Sequence, residues 1–204
     1  MELFLKILGV AAAGYLLGSI PSSFIMAKIL RGIDLRDHGS GNLGAANTFR
    51  ILGAKAAIPV LIIDIGKGFL AVKLVSMAGI DNFTFIALAA LMAILGHNYS
   101  VFVKFSGGKG VGTTTGAFLA IVPVAVLICL LIWLILLLTT RIVSLASIAA
   151  SIALPLAVLI SKYYIGRDID ILAMALSVVV AVVVVYKHRS NIRRLRNGTE
   201  KRIF

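Results

Sequence analysis

Long apolar runs alternate with short polar stretches along the whole chain. The apolar runs cover residues 3–30, 56–78, 83–96, 111–139, 142–161 and 170–186, and the polar stretches lie near residues 31–50, 96–112 and 187–202. Runs of about 20 apolar residues are long enough to cross a bilayer as helices. Because the runs are continuous rather than alternating, they favour helices over a membrane barrel. The pattern therefore predicts an all-α integral membrane protein.

Two prolines divide the longer runs. Pro21 interrupts residues 3–30, and a kink there would free a backbone carbonyl near Ser19, Ser22 and Ser23. The run 111–139 is long for one helix and contains Pro123. We therefore predict a short helix over 111–121, a turn at Pro123 and a second helix to residue 139.

The composition supports a membrane protein of one domain. Of the 204 residues, 60% are hydrophobic and 14% are charged, whereas about a quarter are charged in a soluble domain. The mean hydropathy is +1.07. The length predicts a single polytopic membrane domain over residues 1–204. Cys129 is the only cysteine, which excludes intramolecular disulfides and cysteine metal sites.

The positive charge is concentrated in the polar stretches. The net charge of +12 would suit nucleic-acid binding, but 14 of the 20 lysines and arginines lie in or beside the three stretches. This is the bias of a cytoplasmic membrane face, so we expect no nucleic-acid partner. If the central stretch and the C-terminal tail are both cytoplasmic, an even number of spans separates them. Dividing the run 111–139 into two helices meets this condition and predicts seven helices with a periplasmic N-terminus. The alternative is a six-helix protein, or one in which residues 111–121 form a re-entrant segment.

The central stretch, Gly96 to Gly112, has the composition of an anion-binding loop. Its glycines free the backbone, so that several N–H groups can converge on one point. Lys104 and Lys109 add positive charge, which an oxyanion such as phosphate requires. It is not a Walker motif, because the glycine spacing and the Lys-Ser/Thr pair are absent. The alternative is a flexible loop whose lysines only orient the protein in the membrane.

The first stretch contains Gly39–Gly44, formally a G-x-G-x-x-G motif. No βαβ unit surrounds it, so a dinucleotide site is excluded, and an anion loop is the interpretation that remains. Arg36 and Arg50 could each bind phosphate with a two-pronged guanidinium. Ser40 and Asn47 could orient substrate hydroxyls. The alternative is a capped turn between helices.

The third stretch places His188 and Asn191 three residues apart, on one helix face. A neutral histidine beside an amide could act as a base or a phosphate ligand. The alternative is a basic tail that binds anionic lipid headgroups. Within the run 56–78, Asp64 and Lys67 lie one helical turn apart. Ionisable groups in a membrane are usually paired, so we expect them to support the polar loops from beneath.

Several common chemistries have no residues to carry them. No His-x-x-x-x-Asp acyltransferase dyad, no multi-aspartate site and no HExxH zinc motif occurs. We therefore predict neither a metal nor a cofactor.

Five motifs together resemble one family, the bacterial PlsY-type glycerol-3-phosphate acyltransferases. They are Gly18-Ser-Ile-Pro, Gly39-Ser-Gly-Asn-Leu-Gly-Ala-Ala-Asn, Asp64-x-x-Lys67-Gly68, Gly96-His97 with Gly107-Gly-Lys-Gly-Val, and His188-Arg-x-Asn-Ile-x-Arg-Leu-x-x-Gly-x-Glu200. They span nearly the whole chain in order. The resemblance implies a PlsY-like fold in the bacterial inner membrane. The charge bias predicts that the motif loops and the C-terminus are cytoplasmic. It also implies transfer of a long-chain acyl group from acyl phosphate to the 1-hydroxyl of glycerol 3-phosphate, giving lysophosphatidic acid.

The resemblance also implies roles for residues. Acyl phosphate is expected on the central stretch, at Lys104, Gly107, Gly108, Lys109 and Gly110. Glycerol 3-phosphate is expected at Arg36, Ser40, Asn42, Asn47, Arg50, His188 and Asn191. Four of these are the predicted catalytic residues: His188, Asn191, Ser40 and Arg36. Structural support is expected from Asp64, Lys67 and Glu200.

The central stretch departs from the family at two positions. Ser100 stands where the family usually has proline, and Ser106 stands where a lysine commonly precedes the glycines. The second departure removes one candidate phosphate contact and leaves open the share carried by Lys104 and Lys109. The base is also open between His188 and a substrate phosphate oxygen.

Two other functions fit parts of the pattern. A transporter of a phosphorylated solute would also have broken helices with basic ends, although no internal repeat is seen and the polar stretches are predicted on one side. A non-catalytic lipid-binding scaffold is the weaker alternative. The oligomeric state is not specified, and a monomer is compatible with the motifs.

Overall fold

The computed structural model describes residues 1–166 and 168–203, and within these residues all regular structure is helical. The ten α-helices are α1 (Glu2–Ser19), α2 (Ser22–Arg31), α3 (Ala45–Leu52), α4 (Ala54–Met77), α5 (Phe83–Asn98), α6 (Val111–Ile121), α7 (Pro123–Thr140), α8 (Val143–Tyr163), α9 (Ile171–Lys187) and α10 (Arg189–Arg196). Short 3₁₀ helices occur at Leu35–Asp37 and Val101–Val103. The predicted all-α class is confirmed.

Several helices are long and apolar enough to cross a membrane. Among the described residues, Glu2–Arg31, Phe83–Val103, Pro123–Thr140 and Val143–Tyr163 meet this criterion alone, and α9 meets it together with α10, to which it is bent by 59°. The predicted count of seven also includes α4, which carries Asp64, Lys67 and Lys73, and the short α6. Many outward-facing side chains of α7, such as Leu131 and Leu138, are exposed and apolar, as a lipid-facing surface requires.

Both predicted helix breaks are present. The chain leaves α6 at Ile121 and begins α7 at Pro123, where a proline costs little because the first helical N–H has no partner anyway. The first apolar run divides into α1 and α2 at Ile20 and Pro21. The freed carbonyls there find side-chain donors: Lys67 donates to the Ile20 oxygen at 3.0 Å.

The helix α3 was not predicted, because the sequence around it is polar and rich in glycine. Its eight residues nevertheless have two distinct faces. Asn47 and Thr48 are buried on one side, and Ile51 and Leu52 pack against a small apolar cluster formed by Ala27, Leu35, Leu43 and Val103. The cluster connects α2, the first polar stretch and the central stretch.

The chain divides into two compact units, Met1–Ala120 and Ile121–Phe204, and the single domain over 1–204 stays a prediction. In the first unit, α1 packs against α5 through small residues. A Cβ built on Gly18 would stand 2.0 Å from the Ala93 carbonyl oxygen, and one on Gly14 would stand 2.9 Å from the Ala89 oxygen. Small residues let membrane helices approach until their backbones touch.

In the second unit, α8 packs between α7 and α9. The Trp133 indole N–H donates to the Ser147 hydroxyl at 3.2 Å, joining α7 to α8. The end of the chain also returns to this unit, since the Ile203 N–H donates to the Arg141 carbonyl at 2.8 Å.

The close contact of α1 with α5 predicts different effects for two glycines of one helix. Gly18→Ala should lower the free energy of unfolding by about 1–3 kcal/mol, because the new methyl group has no space. Gly9→Ala is the matched control, since a Cβ on Gly9 would meet nothing within 4 Å. Thermal unfolding in detergent measures both. Equal melting temperatures for the two variants would contradict this packing.

Candidate active site

In the first polar stretch, Asn47 holds the glycine-rich turn in place. Its side chain is 1% exposed. The amide nitrogen donates to the His38 carbonyl at 3.0 Å and to the Leu35 carbonyl at 3.3 Å, and the amide oxygen accepts the Ser40 N–H at 2.9 Å. Three backbone groups therefore depend on this one side chain. The residue expected to orient a hydroxyl is, in the structure, the scaffold of the loop.

Arg36 ties the first stretch to the central stretch. Its guanidinium binds the Asp34 carboxylate through Nε and Nη2, with the shortest contact at 2.6 Å, and Nη1 donates to the Val103 carbonyl at 3.2 Å. The guanidinium also lies over the Phe24 ring, 5.5 Å from its centre. The hydrogen bond from Arg36 lowers the pKa of Asp34 to about 2, so the pair stays ionised at neutral pH. Arg36 is thus fixed by internal contacts.

The other first-stretch residues expected to bind substrate surround this turn. Ser40 is exposed, Asn42 is half-buried, and Arg50 is half-buried one turn after Asn47 on α3. Gly39 and Gly41 have φ angles of +66° and +68°, a conformation that favours glycine. A Cβ on Gly39 would also stand 2.3 Å from the Asn47 amide oxygen. The structure therefore brings Arg36, Ser40 and Asn47 together around one turn.

The central stretch folds back on the end of α5. A 3₁₀ helix is followed by Lys104 and Phe105, both with φ near +57°, and by the segment from Gly107 to Gly110 that enters α6. The Gly108 N–H donates to the His97 carbonyl at 3.0 Å. Lys104 is exposed, whereas Lys109 is half-buried. Four of the expected donor residues, Gly107 to Gly110, thus lie at the N-terminus of an 11-residue helix, where the helix dipole favours anions.

A buried polar network lies beneath this segment. Asp64 Oδ1 accepts a hydrogen bond from the Ser22 hydroxyl at 2.7 Å and an ion-pair contact from Lys67 Nζ at 2.9 Å. His97 Nδ1 lies 3.5 Å from the same oxygen. All three charged or titratable side chains are less than 10% exposed. The i, i+3 pairing of Asp64 with Lys67 follows the expected geometry.

A small pocket opens between this network and the central stretch. It is lined by Ser19, Ile20, Pro21, Ser22, Ser23, Leu43, Lys67, His97, Ser100, Val103, Gly107 and Gly108. Its enclosed free volume is about 10 Å³, which is room for about one water molecule. The lining side chains are therefore closely packed. No group of three or more histidine, cysteine or acidic side chains that could hold a metal occurs in the described part of the chain.

The third polar stretch belongs to the second unit. His188 Nδ1 lies 2.8 Å from the Val184 carbonyl oxygen. A carbonyl only accepts, so Nδ1 carries the proton and Nε2 is the acceptor nitrogen of the neutral ring. His188 caps α10 at the bend after α9, and Asn191 follows within the first turn of α10. Both side chains are buried, at 3% and 4% exposure.

Glu200 holds Asn191 in this position. Its Oε1 accepts from Asn191 Nδ2 at 2.6 Å and from the Ser144 hydroxyl at 2.7 Å, and its Oε2 accepts from Arg194 Nε at 2.6 Å. Burial alone would raise the pKa of Glu200, but these hydrogen bonds and the charge of Arg194 lower it below its ordinary value. The carboxylate is therefore ionised at neutral pH and anchors the tail to α8.

Sequence reasoning missed three partners. The sequence predicts no role for His97 beyond its place in the Gly96-His97 motif, and its only signal is its position before the glycines. Asp34 has a weak signal, since it lies two residues before Arg36. Ser144 has no signal beyond being a serine in an apolar helix, because only the fold shows that it faces Glu200.

Comparison with known proteins places this arrangement in context. A family model described as "Glycerol-3-phosphate acyltransferase" matches residues 8–198. A protein named glycerol-3-phosphate acyltransferase from Fusobacterium nucleatum is 43% identical, covering 92% of this chain and 93% of its own length. A protein of the same name from Salinibacter ruber is 40% identical, covering 93% of this chain and 89% of its own.

Two crystal structures of PlsY, an integral membrane glycerol 3-phosphate acyltransferase, have the same fold. The glycerol 3-phosphate form superposes with a TM-score of 0.87 at 39% identity, over 96% of this chain and 94% of that one. The lysophosphatidic acid form gives a TM-score of 0.84 at 38% identity, with the same coverage.

Proposed function

The chain belongs to the glycerol-3-phosphate acyltransferase family and acylates glycerol 3-phosphate to lysophosphatidic acid, and we propose that its acyl donor is a long-chain acyl phosphate. The observation that carries the donor proposal is the segment from Gly107 to Gly110, packed at the start of α6 beside a pocket that Gly107 and Gly108 line. Phosphate in an acyl phosphate is both the group to be recognised and the leaving group. A phosphate-binding segment therefore serves binding and chemistry together.

The donor residues are assigned by their place around that segment. Backbone N–H groups of Gly107 and Gly110 would bind phosphate oxygens, and Lys109 would balance their charge. Gly108 would contribute the close approach of its backbone instead, because its N–H already donates to the His97 carbonyl. Lys104 is exposed at the edge of the loop. We therefore assign it the role of attracting the negatively charged phosphate rather than of holding it by a fixed contact. The acyl chain would lie between helices, in contact with the bilayer.

The acceptor residues divide into contacts and supports. Arg50, Ser40 and Asn42 are proposed to bind glycerol 3-phosphate from the first stretch, and His188 and Asn191 from the third. Arg36 and Asn47 are proposed to act through the turn that they hold, because their polar atoms already bind Asp34, Val103 and the backbone of residues 35–40. Asp64, Lys67 and Glu200 support these elements.

The reaction needs positioning more than covalent catalysis. The 1-hydroxyl oxygen of glycerol 3-phosphate attacks the acyl carbonyl carbon, the bond to the phosphate oxygen breaks, and the electron pair leaves with phosphate. The hydroxyl proton passes to the acceptor's own phosphate or to His188 Nε2. Holding both substrates in line makes the step effectively unimolecular, and donors aimed at the carbonyl oxygen stabilise the oxyanion.

The proposed orientation follows from the charge bias. We place the chain in the bacterial inner membrane with its N-terminus periplasmic and its three polar stretches and tail cytoplasmic. Single cysteines at positions 2 and 203, in a Cys129→Ala background, should react oppositely with an impermeant reagent in intact cells. Reaction of both, or of neither, is incompatible with this orientation.

The donor proposal is tested with the purified protein. Glycerol 3-phosphate and palmitoyl phosphate should yield lysophosphatidic acid without added metal, whereas palmitoyl-CoA and palmitoyl-acyl carrier protein should yield none. Product formed from palmitoyl-CoA alone would show that the enzyme uses a different donor. Uptake of glycerol 3-phosphate into liposomes without product would instead support the transporter.

The role of His188 is tested by pH dependence. If the acceptor's phosphate takes the proton, His188→Gln should raise the KM for glycerol 3-phosphate and leave the shape of the kcat–pH profile intact. Loss of a general base would instead lower kcat by roughly 10²–10⁴-fold and remove the basic limb. Asn191→Ala is the matched control on the same turn, because an amide cannot titrate. If His188→Gln leaves the KM for glycerol 3-phosphate unchanged and removes the basic limb of the kcat–pH profile, His188 is the base.

A further inference from the structure

The two glycines that enter the donor segment pack directly on His97. A Cβ built on Gly108 would stand 2.0 Å from His97 Nε2, and one built on Gly107 would stand 2.1 Å from the His97 carbonyl oxygen. That carbonyl also accepts the Gly108 N–H at 3.0 Å. The ring and the main chain of His97 therefore contact this segment directly and support it.

The ring of His97 is buried, with Nδ1 turned towards Asp64. Its side chain is 6% exposed, and Nδ1 lies 3.5 Å from Asp64 Oδ1. The carboxylate is itself fixed by Lys67 and Ser22. With Nδ1 directed at α4, Nε2 is directed at Gly108 and the pocket. This is the arrangement in which a carboxylate orients an imidazole.

We propose that His97 is a positioning residue for the donor: its ring, oriented by Asp64, sets the position of the Gly107–Gly108 backbone and so of the phosphate bound there. The inference rests on the proposed donor role of this segment. His97 lies beneath the segment and acts through it. Its removal should therefore affect the donor and spare the acceptor.

Steady-state kinetics of two His97 variants test this. His97→Ala should raise the KM for palmitoyl phosphate about tenfold, since displacements of about 1 Å have effects of this size or larger. The KM for glycerol 3-phosphate should stay within about twofold. His97→Gln should recover most of the loss, because its amide extends to the level of Nε2. The control is Lys73→Met, which changes an exposed side chain of α4 and should change neither KM.

A double-mutant comparison tests the contact itself. Gly108→Ala places its methyl group against the ring, whereas Gly107→Ala places its methyl group against the main-chain carbonyl, which His97→Ala retains. His97→Ala should therefore offset part of the loss in kcat/KM caused by Gly108→Ala, and none of that caused by Gly107→Ala. The offset is partial because the Leu43 carbonyl also lies 2.6 Å from the added Cβ.

The outcomes separate this inference from the donor proposal. If the wild type uses acyl phosphate, either of two results overturns the role of His97 alone. One is that the losses in kcat/KM caused by Gly108→Ala and His97→Ala are additive in the double variant. The other is that His97→Ala changes only the KM for glycerol 3-phosphate. A wild type that uses no acyl phosphate overturns the donor proposal. Melting temperatures show which variants are folded, and His97→Gln retains bulk and a polar end if His97→Ala does not fold.

Discussion

One buried carboxylate connects the elements of the first unit. The break at Pro21 leaves backbone carbonyls without helical partners, and inside a membrane each unsatisfied group costs several kcal/mol. Lys67 satisfies one of them at Ile20, and a buried cation requires a counter-charge. Asp64 supplies it at 2.9 Å and also accepts from Ser22. The same Asp64 oxygen lies 3.5 Å from His97 Nδ1, and the donor segment packs on His97. The broken helix, α4 and the donor segment are therefore all connected through Asp64.

The serine at position 100 adds a further hydrogen bond at the broken helix. The Ser100 hydroxyl donates to the Ser19 carbonyl at 2.5 Å, and both residues are buried. A proline, which the resemblance leads one to expect at this position, has no hydroxyl to donate. The chain thus satisfies both freed carbonyls with side chains from outside the broken helix, Lys67 of α4 and Ser100 of the central stretch. Ser106, in contrast, is exposed, so a lysine at this position would add charge at the surface of the loop.

Patterns local in sequence predicted more than patterns that depend on the fold. Apolar runs and prolines predicted most helix bounds, including the split between α6 and α7, because helix length and proline chemistry act locally. The spacing of Asp64 and Lys67 predicted their pairing. The partnership of His97 with Asp64 could not be predicted, since 33 residues separate them. α3 was missed because packing on Leu35 and Val103 outweighs its polar, glycine-flanked sequence.

The central claim is that the Asp64–Lys67 pair holds the donor segment. Hydrogen–deuterium exchange of Lys67→Met in detergent tests it, with Lys73→Met as the control on the exposed face of the same helix. The account predicts faster amide exchange in residues 18–24 and in residues 104–110 of Lys67→Met, and wild-type rates in Lys73→Met. Wild-type exchange in residues 104–110 of a folded Lys67→Met protein would contradict it.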